Sequence, residues 1–142
     1  MEEPTQSYFT PDEVNALIPR LEEYFQNFWL HRQNAQNILQ ELRKSSRDNA
    51  AFLPAEIVHQ QIRQSQAHFL LEHAQKELDL IIETGCLIKD LEIGLVDFYH
   101  VSSSEDAIFL CWKYGEKKVR FWHSLNEGFA SRKPLTRKLF PA

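Results

Sequence analysis

The sequence predicts a single α+β domain of 142 residues. A long antiparallel helical hairpin spans about 10–84, and a small antiparallel sheet of 3–4 strands with an irregular C-terminal tail fills about 86–142. Three observations carry this expectation. Apolar residues recur at three- and four-residue steps through two long segments. A polar stretch, Lys44–Phe52, separates those segments. After Gly85 the helical period stops, and β-branched and aromatic residues gather in short runs.

The first helix opens at a capping box. Thr10 is the N-cap, Pro11 suits the first helical position, and Glu13 stands three residues after the cap. Asp12 and Glu13 complement the positive end of the helix dipole. Val14, Leu17, Leu21, Tyr24, Phe28, Ala35, Leu39 and Leu42 form one apolar stripe, which predicts a helix to about Arg43. Pro19 predicts a kink or a restart near its position.

Pro54 opens a second helix that runs to about Glu83 and stops at Gly85. It carries two apolar arcs. Val58, Ile62, Phe69, His73 and Leu80 lie on one, and Ala67, Leu70, Leu71, Ala74, Leu78 and Ile81 on the other. Two arcs require two neighbours: the first helix, and either the sheet or a partner subunit.

Strands are expected at 86–90, 95–101, 107–113 and 118–123, with a hairpin turn at Tyr114–Lys117. In 107–113, Ile108, Leu110 and Trp112 point one way, and Ala107, Phe109, Cys111 and Lys113 the other. Both faces are largely apolar, so both need cover. The hairpin covers one, and the tail or a second subunit the other; a homodimer is the economical solution.

Composition excludes several classes. The longest unbroken apolar run, Ala107–Trp112, is far shorter than the roughly 20 residues of a membrane span. The acidic, polar start MEEPTQSYFT has neither the basic nor the hydrophobic segment of a signal peptide, so a cytoplasmic location is expected. Two cysteines, Cys86 and Cys111, make no CxxC pair and cannot alone supply four zinc ligands; free thiols, no metal and no cofactor are expected.

The net charge of −4 is uneven. Residues 1–112 hold 8 basic and 18 acidic side chains, and residues 113–142 hold 8 basic and 2 acidic. A basic end on an acidic body favours docking of the tail on its own chain or on a partner over nucleic-acid binding, because the whole molecule repels a polyanion. Arg132-Lys133-Pro134-Leu135-Thr136-Arg137-Lys138 also lacks interleaved aromatics.

The second half carries distinctive phrases: Lys89-Asp90-Leu91-Glu92-Ile93-Gly94-Leu95-Val96-Asp97-Phe98, Leu110-Cys111-Trp112-Lys113-Tyr114-Gly115-Glu116, and Phe121-Trp122-His123 followed by Glu127-Gly128-Phe129 and Arg132. With the opening Phe9-Thr10-Pro11-Asp12-Glu13 and Ala16-Leu17-Ile18-Pro19, the chain resembles the bacterial family called domain of unknown function 2203 over about residues 8 to 135. The resemblance implies a small bacterial cytosolic protein and supplies no activity.

The candidate ligand-binding residues are Lys89, Asp90, Asp97, Trp112, Lys113, Glu116, Trp122, His123 and Arg132. Cations beside tryptophans suit a small anionic ligand, and His123 with Asp97 or Asp90 suits an oriented acid/base pair. The plainer expectation is an ion-pair network that ties sheet and tail through pairs such as Lys89–Asp97 or Arg132–Glu116. No nucleophile motif or glycine-rich phosphate loop accompanies these residues, which weighs against catalysis without deciding it. Glu56-Ile57-Val58-His59 has the E-x-x-H spacing of a di-iron half-site, but dipole complementarity explains Glu56. The leading expectation is a non-enzymatic interaction module acting as a homodimer. The alternatives are a small-molecule or anion site on the sheet, with or without enzyme activity, and a weak nucleic-acid contact through the basic tail; an unidentified protein or a small anionic ligand is the further partner expected.

Overall fold

A computed structural model describes residues 8–48, 53–102 and 104–136. The elements are helices α1 (Pro11–Asp48) and α2 (Pro54–Glu83), strands β1 (Leu87–Asp90), β2 (Leu95–Val101), β3 (Ala107–Lys113), β4 (Phe121–Ser124) and β5 (Lys133–Pro134), and a 3-10 turn at Phe129–Ser131. They form two compact units. One is Glu23–Leu80, and the other joins the chain up to Glu22 to the chain from Ile81 onward.

The capping box forms as the sequence requires: Thr10 N–H donates to Glu13 Oε1 at 3.1 Å, and Glu13 N–H to Thr10 Oγ1 at 3.2 Å. The helix passes through Pro19 without a restart. Proline there removes a single backbone bond, a cost of about 3 kcal/mol that the remaining turns of a 38-residue helix absorb. The helix also outruns its apolar stripe, to Asp48.

Within the Glu23–Leu80 unit the helices pack antiparallel. Contacts march in opposite directions along them: the rings of His31 and His73 lie 5.5 Å apart, Ile38 and Leu42 bury against Ala67, and Arg63 pairs with Glu41 at 2.7 Å. The Ala67 arc of α2 therefore meets α1. The small alanine lets the two backbones approach.

The sheet is an antiparallel meander in the order β1-β2-β3-β4-β5. β5 is a two-residue strand within the tail that the sequence assigns to irregular structure; it is too short to show an alternation, and Pro134 suits its edge position. β4 starts at Phe121 rather than at 118, because the Val119 N–H is committed to Asn15 Oδ1 of α1 at 2.8 Å.

Strand register sorts the side chains. Val96, Phe98, His100, Ile108, Leu110, Trp112 and Trp122 share one face; Asp97, Tyr99, Phe109, Cys111, Phe121 and His123 share the other. The Phe98 face receives the helical start: the Phe9 ring meets Phe98 edge-on at 5.0 Å, and the Phe9 carbonyl accepts a hydrogen bond from His100 Nδ1 at 2.6 Å. Phe9 N–H also donates to the Tyr99 carbonyl at 2.8 Å, on a stretch of β2 that β1 does not reach. Val14, Ile18 and Leu21 are buried on the turns that follow.

Gly85 closes α2 with φ +100°, a left-handed conformation. A Cβ there would stand 2.5 Å from the Phe9 ring, so both conformation and space select glycine.

Candidate functional site

The site lies on the sheet face opposite Phe98. Register places Asp97 opposite Cys111, and Cys111 opposite Phe121 on β4. Asp97 and His123 thus stand on the two strands flanking β3 and reach toward each other across it. The small Cys111 side chain beneath them leaves room for Asp97 Oδ2 and His123 Nε2 to meet at 3.0 Å. All three are sealed from solvent, with exposures of 1% for Asp97, 0% for Cys111 and 2% for His123.

The hydrogen bonds constrain the protons. His123 Nδ1 faces the Ser124 carbonyl at 2.8 Å, and Nε2 faces the Asp97 carboxylate. A carbonyl oxygen can only accept, so Nδ1 carries a proton. A second proton then lies between Nε2 and Oδ2, as an imidazolium–carboxylate pair or as a neutral imidazole facing a carboxylic acid. Neither ring nitrogen is left free to act as a base. Asp97 Oδ1 is buried and accepts no hydrogen bond. Donor atoms of Asp97, Cys111 and His123 all lie within 4.8 Å of one another.

The thiols are inert by the same environment. Burial, and then the charge of Asp97, pushes the Cys111 thiol up to about 12. Burial alone is the main cause that pushes Cys86 up to about 11. Neither is an activated thiolate nucleophile at neutral pH.

Arg132 closes one side of this cluster. Its guanidinium forms a bidentate pair with Glu116 at 3.0 and 3.1 Å, and sits 4.1 Å from the Phe121 ring centre and 4.5 Å from that of Phe129. One of its nitrogens approaches Cys111 Sγ at 4.0 Å. Glu116 is held in turn: its carboxylate accepts the Lys113 N–H at 2.7 Å, and its carbonyl accepts the Trp112 Nε1–H at 2.8 Å. Lys89 rests its ammonium 5.0 Å from the Phe109 ring centre rather than on Asp97, and Lys113 lies 5.9 Å from that of Phe129.

The sequence-derived candidates therefore divide. Asp97, His123, Glu116 and Arg132 come together, with Lys89 and Lys113 at the margin. Trp112 and Trp122 point to the opposite face, and Trp122 lies under Lys133 at 4.6 Å. Asp90 turns away from the cluster, its Oδ1 accepting the Glu92 N–H at 2.9 Å in the turn after β1. The expected pairing of cations with tryptophans at one anion site does not form. Cys111, expected from sequence only as a free thiol, is missing from the sequence-derived candidates; its shared parity with Asp97 was the available signal. Glu56 and His59 are both exposed on α2. In the tail, Lys133 pairs with Glu127 at 2.7 Å, whereas Arg137 and Lys138 lie outside the described residues.

A second surface stands out on α2. Val58, Ile62 and Phe69 expose 54%, 52% and 60% of their area and line a groove with Gln61, Ser65 and Gln66. Between Ile57 and Leu71, Arg63 is the single Lys, Arg, Asp or Glu.

The fold and the site together define a small α+β protein with a helical hairpin, a meander sheet and a sealed Asp–Cys–His cluster. The chain matches the model of an uncharacterised conserved protein family, DUF2203, over residues 7–135, and it belongs to that family. No curated protein and no solved structure matches it. Among the described residues, no helix is long and apolar enough to cross a membrane.

Proposed function

We propose that this protein is a non-enzymatic interaction module that works as a homodimer, with the Val58–Phe69 face of α2 as its self-association surface. The observation that carries this reading is the exposed, nearly charge-free apolar stripe on α2. Depletion of charge around large apolar side chains is what interface cores show. The other arc of the same helix is already occupied by α1.

The stripe suits a second copy of itself. Reversal about the midpoint between Arg63 and Gln64 carries Val58 onto Phe69, Gln61 onto Gln66 and Ile62 onto Ser65. An antiparallel pairing of two α2 helices about a two-fold axis then sets large against small side chains, and amide against amide. The sheet cluster supports the non-enzymatic part: all three of its groups are sealed from solvent. Two buried, unpaired thiols accord with a reducing, cytosolic setting in a bacterium.

Sedimentation equilibrium across a concentration series tests the reading. The wild-type chain should run as a dimer, and Phe69→Glu should run as a folded monomer. A wild-type monomer throughout the micromolar range overturns it, as does a Phe69→Glu variant that remains dimeric.

A further inference from the structure

We propose that Asp97, Cys111 and His123 form a zinc-binding site, with one tetrahedral Zn2+ held by the Cys111 sulfur, His123 Nε2 and the Asp97 carboxylate. The ion would be structural, tying β2, β3 and β4 together on one face. This goes beyond the dimer reading and does not depend on it.

Four features of the cluster carry the assignment. The first is the donor set: a thiol, an imidazole and a carboxylate converge within 4.8 Å. The thiol and the imidazole in that set select zinc over magnesium or calcium, which take oxygen ligands. The second is the orphaned Asp97 Oδ1, buried without a hydrogen bond. Beside His123, the neighbour of this carboxylate is the Cys111 thiol, whose proton a cation would replace while satisfying both groups. The third is the support behind the imidazole. His123 Nδ1 donates to the Ser124 carbonyl at 2.8 Å, which fixes the ring and leaves Nε2 as the coordinating nitrogen. The fourth is Arg132, whose guanidinium stands 4.0 Å from Cys111 Sγ, placed to hydrogen-bond a coordinated thiolate while Glu116 balances its charge.

The geometry needs little adjustment. Donors around a tetrahedral zinc lie roughly 3.3–3.8 Å apart, so side-chain rotations of about 1 Å suffice. The metal takes the place of protons: the thiol proton and the proton shared by Nε2 and Oδ2 leave to solvent. Asp97 Oδ1 supplies a longer fourth contact beside Oδ2; because both oxygens sit on one carbon, the tetrahedron is distorted. The site joins residues 97, 111 and 123, so its ligand spacing has none of the short CxxC or HxxxH repeats by which zinc sites are read from sequence.

Full-length protein, stripped with a chelator and titrated with Co2+ as a spectroscopic substitute for zinc, tests the assignment. Saturation is expected at one ion per chain, with intense tetrahedral ligand-field absorption and a thiolate-to-cobalt charge-transfer band that Zn2+ then abolishes by displacement. Cys111→Ser should lose the band and bind more than about 100-fold more weakly, since losing even a residue that only supports a ligand costs roughly 10- to 100-fold. Cys86→Ser should retain both band and affinity. Asp97→Asn, checked for folding by circular dichroism, gives a second readout: it should weaken binding while the band persists at saturating Co2+. Zn2+ should also raise the melting temperature of wild type and leave that of Cys111→Ser unchanged. Saturation without a charge-transfer band, a band that follows Cys86 instead of Cys111, or no saturable binding overturns the proposal.

Discussion

Asp97 and His123 sit on strands separated by β3, yet their side chains meet at 3.0 Å over Cys111. The contact exists because residue 111 is small. Strands flanking a central one lie about 9.5 Å apart, a gap that two side chains can close only if the residue between them does not fill it. Replacing Cys111 with Leu should overpack this space and separate the pair. We expect a loss of at least 1–3 kcal/mol, about the cost of overpacking, and Cys111→Ala should cost less. Paired thermal melts of the two variants check the order.

Removing one member of the pair strands the other in a sealed site. His123→Ala should therefore cost about 3–5 kcal/mol, and His123→Gln, which keeps a polar partner for Asp97, should cost less. Denaturant unfolding with an unchanged m-value would register this as a stability effect.

Arg132 holds the tail to the sheet by geometry that lysine cannot reproduce. The guanidinium offers two parallel hydrogen bonds to Glu116 and two flat faces to Phe121 and Phe129. Its exposure is 13%, against 21% for Glu116, so solvent screens the pair only in part. Arg132→Lys should lose about 1–2 kcal/mol, and a double-mutant cycle with Glu116→Gln should show coupling near 1 kcal/mol.

Acid should loosen the same tail at Glu127. Hydrogen bonds from the Lys133 ammonium and from Ser124 hold its carboxyl down at about 2, against an ordinary 4.5. A lowered folded-state pKa means that the ionised form stabilises the fold above pH 4.5, and that this contribution disappears as pH falls through 2. The melting-temperature difference between wild type and Glu127→Gln should be constant near neutrality and vanish between pH 4.5 and 2. A difference that stays constant down to pH 2 would show that Glu127 does not make the contact in solution.

Gly85 is expected to tolerate no side chain. Gly85→Ala places a methyl 2.5 Å from the Phe9 ring and forces alanine to φ +100°. We expect a loss of about 1–3 kcal/mol. Gly85→Ala combined with Phe9→Ala should relieve the clash but not the backbone strain, so the pair should be non-additive in urea unfolding.

Much of this fold is legible along the chain because it rests on local rules. Thr10 and Glu13 cap α1 through three-residue geometry, Pro54 and Gly85 bracket α2, and the alternation of 95–101 and 107–113 yields strands with those bounds. The joining of Asp97 with His123 was accessible as one pairing among several, and Arg132 with Glu116 likewise. The side that Cys111 takes was legible from alternation, but its part in the site was not, because a cysteine in an apolar run has the same local pattern whether it packs or faces a carboxylate.

By itself, then, the sequence determined the two helices, the four main strands and the parity that sets Asp97 and Cys111 on one side, since caps, breakers and side-chain periods act over a few residues. The tertiary structure alone decided which sheet face receives Phe9, that Trp112 and Trp122 leave the polar cluster, that a two-residue strand recruits the tail, and that Asp97, Cys111 and His123 converge. Those outcomes depend on strand register across β2, β3 and β4, which brings together residues 26 apart in the chain and is set by how whole faces pack.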